Sequence, residues 1–524
     1  MPRSGGLPRS AGLLGAAAGL VAGVSALAAA ELVSAWVRPQ SGPVTAVGGA
    51  VVDLVPPPVR EWAIQVFGTS DKLVLRLGIL LLLALFAAGA GVVGVRARPL
   101  YGAVLALAFG LVGAVAAAGR PDASPRDALP SAVAGVVAAA VLYLLTGAVR
   151  RPGPPGGRGY DRRRFLTVVL ASAGGSAVAY LAGRLSGASG AADAAADRAA
   201  LELPAPASPA RPLPPGVGLP VPGLGPFLTP NASFYRIDTA LVVPRLGADR
   251  WTLRIHGEGV TRPLTLRYAD LLARELVERD ITLACVSNEV GGDLVGNARW
   301  LGVRLADVLR EAGVRAPSRG GPADQLVARS VDGMTIGTPV ETVLDGRDAL
   351  LAIGMNGEPL PFAHGFPVRM VVPGLYGYVS ACKWLAELRL TTFAAYDAYW
   401  VRRAWAAQAP VKTQSRIDVP RGNAALRAGT VAVAGVAWAQ HRGVSAVQVR
   451  VDGGPWQQAV LAAEDTVDTW RQWVWRWPAT PGRHVLEVRA VDGTGAVQTG
   501  EEQGVLPDGA TGWHRVRVEV AGAD

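Results

Sequence analysis

Cys285 and Cys382 are the only two cysteines in the chain, and the first lies in I-T-L-A-C-V-S-N-E-V-G-G, where an apolar, β-type run meets a loop-like one. A thiolate at the end of a strand, with backbone N–H groups around it, can ligate a soft or high-valent metal. The bland alternative is a buried free cysteine, the usual fate of a lone thiol. Further along stands M-N-G-E-P-L-P-F-A-H-G-F-P-V-R-M-V-V-P-G-L-Y-G-Y-V-S-A-C-K-W, which contains His364, Arg369 and Lys383. The planar fork of arginine suits phosphate oxygens, and lysine adds a point charge. The glycines of G-L-Y-G-Y-V-S-A let backbone amides approach an anion. Taken singly, each basic residue reads as a solvated surface charge and His364 as a structural histidine. Together, in a Gly/Pro-rich strand–loop setting, they point to an anchor for a phosphorylated cofactor beside a metal-ligating thiol. Cys382, next to Lys383, reads as a small buried residue and not as a redox partner.

These groups need a globular frame, and the sequence around them supplies one. W-T-L-R-I-H-G alternates like a strand, L-T-L-R-Y-A-D-L-L-A-R-E-L reads as strand into helix, and L-A-D-V-L-R-E-A-G as a helix with a glycine stop. This α+β pattern occupies residues 226–410. From residue 411 short alternating segments with Asp-Gly turns take over, including T-V-A-V-A-G-V-A-W, W-R-Q-W-V-W-R-W and H-V-L-E-V-R-A-V-D-G-T-G. Their spacing predicts an immunoglobulin-like β-sandwich over 411–524, although the cysteine pair of antibody domains is absent. Residues 187–225 are rich in Ala, Pro and Gly and read as a semi-extended tether lacking a core.

Before that tether the composition changes. Apolar stretches near residues 11–36, 73–94, 99–119, 131–149 and 165–185 approach or exceed the roughly 20 residues that cross a bilayer. They are rich in Gly and Ala, as closely packed membrane helices are. Residues 1–186 are therefore expected to form a helical transmembrane bundle. Arg3 and Arg9, then Arg96 and Arg98, then the group from Arg150 to Arg164 mark three cytoplasmic segments under the positive-inside rule. An odd number of spans then puts everything after about residue 186 outside the cytoplasm. Arg162 and Arg163, followed by Phe165 and Leu166, resemble an internal twin-arginine export signal; a plain stop-transfer cluster is the alternative. The net charge of +10 is explained largely by these clusters, which removes the case for nucleic acid. No histidine precedes His256, so bis-histidine haem within the spans is excluded and electrons are expected to pass to a separate protein.

Residues 225–520 resemble the sulfite oxidase family of molybdopterin enzymes, including its bacterial periplasmic members. F-L-T-P-N-A-S-F-Y-R-I resembles the family's cofactor-contacting entry segment, and L-A-C-V-S-N…A-R-W-L-G-V-R-L-A-D-V-L the segment carrying the metal cysteine. H-G-F-P-V-R…P-G…K-W resembles the pterin-phosphate segment, and the C-terminal sandwich the dimerisation domain. The resemblance implies a molybdenum–molybdopterin cofactor with Cys285 as metal ligand. His364, Arg369, Ser380 and Lys383 would hold its phosphate, while Asn231, Tyr235 and Arg236 approach from the entry segment. It implies a homodimer through the C-terminal domain. Arg442, one residue off the family's spacing, would reach the catalytic pocket.

Departures bear on the substrate. Sulfite-oxidising members carry arginines shortly after the metal cysteine, where this chain has Asn288, Glu289 and Val290; their active-site tyrosine falls near Met334. A dianion needs facing cations in a low-dielectric site, so sulfite is disfavoured. Three functions follow. The first is a membrane-anchored oxidoreductase moving an oxygen atom or two electrons on a small substrate at the extracytoplasmic face. The second is a protein-repair sulfoxide reductase of the same family, and the third is a cofactor-free interaction protein.

Overall fold

The computed structural model describes residues 10–55, 59, 66–67, 71–119, 124–151, 161–240 and 242–522. Arg3, Arg9 and Arg158, used above for topology, lie outside them. The chain divides into two units, one made of Met1–Asp193 with Ala240–Val243, the other of Ala194–Thr239 with Pro244–Asp524.

Among the described residues of the first unit, five helices are long and apolar enough to cross a membrane: Ala11–Val37, Leu73–Arg96, Pro99–Ala118, Pro125–Arg150 and the one beginning at Arg162. They pack through small residues. A methyl placed on Gly19 would sit 1.8 Å from the carbonyl oxygen of Ala87, and one on Gly91 would sit 1.9 Å from that of Gly15. Backbones this close are how helices associate where no hydrophobic effect drives them. Leu77, Leu81, Leu82 and Leu85 remain exposed.

The second unit contains an α+β part and a two-sheet β-sandwich. In the α+β part, one mixed sheet has the order β2-β1-β10-β5-β6 (β1 Thr252–Gly257, β2 Leu264–Arg267, β5 Gln325–Ser330, β6 Thr335–Pro339, β10 Leu385–Thr391). A second sheet runs β3-β4-β7-β8, with β9 pairing β7 (β3 Leu276–Ala284, β4 Val295–Arg304, β7 Leu350–Met355, β8 Glu358–Pro359, β9 Arg369–Val371). The last five residues of β3, Asp280–Ala284, are all buried. This is why I-T-L-A reads as a continuous apolar run and not an alternating one. The sandwich pairs a four-stranded sheet with a five-stranded one. Trp473, Trp475 and Trp477 alternate along one strand and fill the space between the sheets with Leu486, Val488 and Val516.

Residues 187–225 differ from the expected tether. The helix that starts at Arg162 continues to Ala200. Beyond it Ser208 bridges to Val277 on β3, Val217 is buried in the core, and Gly225 accepts a hydrogen bond from Gln472. A Pro-rich strand cannot build a core of its own. Its backbone groups can still pair along an existing sheet edge, which composition does not reveal.

Candidate functional site

β3 delivers Cys285 and β4 takes the chain away, with a tight loop between. The Cys285 N–H donates to the Leu294 carbonyl at 2.9 Å, Asn288 N–H donates to the Cys285 carbonyl at 3.1 Å, and the Asn288 side chain accepts from Leu294 N–H at 2.8 Å. The thiol is free and buried. Burial pushes its pKa up, against the pull of hydrogen bonding from Ser287 and the charge of Lys383. Tyr235 is its neighbour: burial, reinforced by Cys285, raises the phenol strongly, so the hydroxyl stays protonated. Tyr376 is pushed up to about 12, mainly by burial, with Cys285 raising it and Arg442 lowering it.

The cationic side of the site is built by a strap. Met370 N–H donates to the Cys382 carbonyl at 2.9 Å, Val372 N–H to the Ser380 carbonyl at 3.1 Å, and Leu385 N–H to the Val368 carbonyl at 2.9 Å. This pairing sets Lys383 alongside Arg369. Gly365 (φ +110°) makes the approach possible, since a methyl there would sit 3.1 Å from both the Arg369 Cβ and the Lys383 Cα. Arg369 is buried over the ring of Trp300 at 4.9 Å and donates to the His364 carbonyl at 3.1 Å. Burial lowers its pKa to about 10. Its Nε is buried and has no hydrogen-bond partner among the described residues. Lys383 donates to Asp238 at 3.0 Å, and Arg236 donates to the same carboxylate at 2.7 Å. Burial first, with Arg369 and Arg236 adding to it, brings Lys383 down to about 8.

His364 is buried and its Nε2 lies 3.0 Å from the Asn231 carbonyl, which can only accept, so Nε2 carries the proton. Desolvation, then Arg369, holds the ring near a pKa of about 4 and thus neutral at pH 7. Asn231 itself is committed: its amide donates to the Met355 carbonyl and Glu358 and accepts from Asn356. Ser380 belongs to the strap, but its hydroxyl turns toward the Leu375 and Tyr376 carbonyls at 3.0 Å. Cys382 is fully buried, with its thiol raised above the usual range by burial.

The structure thus gathers Tyr235 about Cys285, and Arg236, Arg369 and Lys383 about Asp238 and His364. Arg442 is held by Asp492 at 2.9 Å, the Val411 carbonyl at 3.0 Å and the Thr413 hydroxyl at 3.1 Å, while its charge still reaches Tyr376. Glu289 is exposed, and Val290 and Met334 are half-buried. Asp238 and Trp300 were missed in the sequence. The A-R-W motif pointed near one of them, while nothing in R-I-D-T marked the other as a partner of Lys383.

Among the described residues no cluster of three His, Cys, Asp or Glu side chains could hold a metal alone. A single thiol suits a metal whose remaining donors come from an organic cofactor. The unpartnered Nε of Arg369 and the excess of cations over Asp238 suit a phosphate carried by that cofactor.

Residues 240–400 match the family model described as the oxidoreductase molybdopterin binding domain. The chain is 31% identical over 347 residues to mitochondrial sulfite oxidase of Rattus norvegicus, an alignment covering 56% of this chain and 62% of that protein's length. It is 32% identical over 344 residues to sulfite oxidase of Gallus gallus, covering 55% of this chain and 72% of that protein. The crystal structure of the sulfane dehydrogenase SoxCD from Paracoccus pantotrophus aligns with a TM-score of 0.46 and 25% identity, over 52% of this chain and 75% of that one.

Proposed function

This chain belongs to the sulfite oxidase family and is a molybdenum-dependent oxidoreductase, and from that premise we propose that it transfers an oxygen atom or two electrons on a small substrate other than sulfite. The cofactor-free reading falls with the premise. The observation that carries the proposal is the pairing of a buried Cys285 beside Tyr235 with the cationic anchor of Arg236, Arg369 and Lys383. Cys285 would ligate the metal, and Arg369 and Lys383, with His364 beside them, would hold the phosphate. Asn231 acts through its carbonyl on His364, and Ser380 through the strap that carries Lys383. When bound, the cofactor supplies two-electron redox and oxygen-atom chemistry. Metal ligation would hold Cys285 as the thiolate, the form that burial alone disfavours. Tyr235 presents a protonated hydroxyl near the metal-ligating thiol, a donor toward an oxygen atom on the substrate.

Sulfite is disfavoured because Glu289 and Val290 follow the metal cysteine and Arg442 is tied to Asp492. Desolvating a dianion costs several kcal/mol unless cations face it. A neutral sulfoxide or N-oxide suits these groups better, in keeping with a sulfoxide reductase of the protein-repair kind. The length and apolar character of the helices support anchoring in the cell membrane, and the arginine distribution supports an extracytoplasmic catalytic part. Electrons pass to or from a separate protein, with no haem in this chain. The sandwich is read as immunoglobulin-like and as the surface of a homodimer. Metal and pterin analysis of purified protein tests the cofactor. Steady-state assays of sulfite with an artificial acceptor, against a panel of S- and N-oxides with reduced viologen, test the substrate. Efficient sulfite turnover with the oxides inert would overturn the substrate reading.

A further inference from the structure

We infer that Asp238 is a positioning residue for the cofactor phosphate, holding Arg236 and Lys383 together against it. The inference rests on reading Arg236, Arg369 and Lys383 as the phosphate anchor. Asp238 is a carboxylate at the centre of that cluster, with its side chain only 2% exposed. One of its oxygens accepts from Lys383 at 3.0 Å and from Arg236 at 2.7 Å, and the other accepts from Arg236 at 3.3 Å. Both cations are thereby drawn to one point, although one comes from the entry segment and the other from the strap after Gly377–Ser380.

The charge arithmetic explains why a carboxylate is there. Three cations packed in a buried site repel one another, and the Asp238 carboxylate offsets that repulsion between Arg236 and Lys383. With three cations and one carboxylate, the cluster keeps an excess of two positive charges, the complement of a phosphomonoester dianion. Removing Asp238 would raise that excess on paper, yet lose it in practice by letting Lys383 and Arg236 separate, with Arg236 free to swing toward solvent.

The test uses the full-length, cofactor-loaded chain in detergent and measures molybdenum and pterin retained per chain after dialysis at about pH 7. Asp238→Asn should retain cofactor about tenfold more weakly than wild type, the loss expected of one charge-assisted contact. Asp238→Glu, which keeps the carboxylate, should retain it as wild type does. An Asp238→Asn protein that never loads supports the inference if Asp238→Glu loads normally. Retention in Asp238→Asn equal to wild type, or an equal loss in Asp238→Glu, would overturn it. Lys383→Met separates the two levels: if that variant retains cofactor as wild type does, the phosphate anchor itself is wrong. If it loses cofactor while Asp238→Asn does not, only the role of Asp238 is wrong.

Discussion

At the scale of single residues, the site separates two functions that mutation can pull apart. Cys285→Ser should abolish turnover and strip the metal, because a neutral hydroxyl is a far poorer ligand than a thiolate. The pterin should stay, since the anchor is untouched. Arg369→Ala should instead lose the whole cofactor, pterin and metal together. Each charge-assisted contact contributes roughly 1.5–3 kcal/mol, so retention should weaken by about tenfold or more. Elemental analysis and pterin fluorescence on the same samples read both effects. Pterin retained in Arg369→Ala at the wild-type level would contradict the assignment. Trp300, beneath the guanidinium, adds a second contribution to Arg369 that alanine also removes.

Elements set how the loop after Cys285 is held. The loop after Cys285 is gripped by the sandwich: Arg416 donates to the Gly292 carbonyl at 2.7 Å, and the imidazole of His514 lies against Gly291. Gly291 has φ +80°, and a methyl there would sit 2.1 Å from His514 Cδ2. Gly291→Ala should therefore destabilise the fold by about 2–4 kcal/mol, combining left-handed strain with overpacking. Thermal melting checks it, and an unchanged midpoint would refute the clamp. His514 also gives this contact a pH dependence. Its Nδ1 accepts from Ile417 N–H at 3.0 Å, and burial lowers its pKa to about 4. The unfolded ring, near pKa 6.5, binds more protons between those values. Stability should thus fall as pH drops from about 6.5 toward 4. His514→Asn, which keeps an acceptor for Ile417, should flatten that slope in melts across the pH range, leaving the share due to His364.

At the scale of the whole molecule, the reading turns on where the catalytic unit resides. A reporter fused after Asp524 should be active only outside the cytoplasm, given the arginine clusters and the five apolar helices. Arg162→Lys with Arg163→Lys keeps the charge but spoils a twin-arginine signal, so the reporter should then remain inside. Normal export of that double variant would make the segment an ordinary stop-transfer helix. A domain that takes up a complex cofactor before crossing would have reason to travel folded, which would give an internal twin-arginine signal a physical purpose.

The sequence by itself determined what depends on local pattern: the apolar helices, the strand that leads into Cys285, the glycine and proline turns around His364, and the alternating tryptophans of the sandwich. Hydropathy, periodicity and residue chemistry are properties of neighbours along the chain, so they are legible without a fold. The tertiary structure alone decided which partners meet. It put Asp238 between Arg236 and Lys383, Trp300 beneath Arg369, and Arg442 on Asp492, and it bridged Ser208 to Val277 on β3. Spacing could not reveal these pairings. Each joins segments brought together by burying the core between them, and a salt bridge or ring contact leaves no periodic mark at either end.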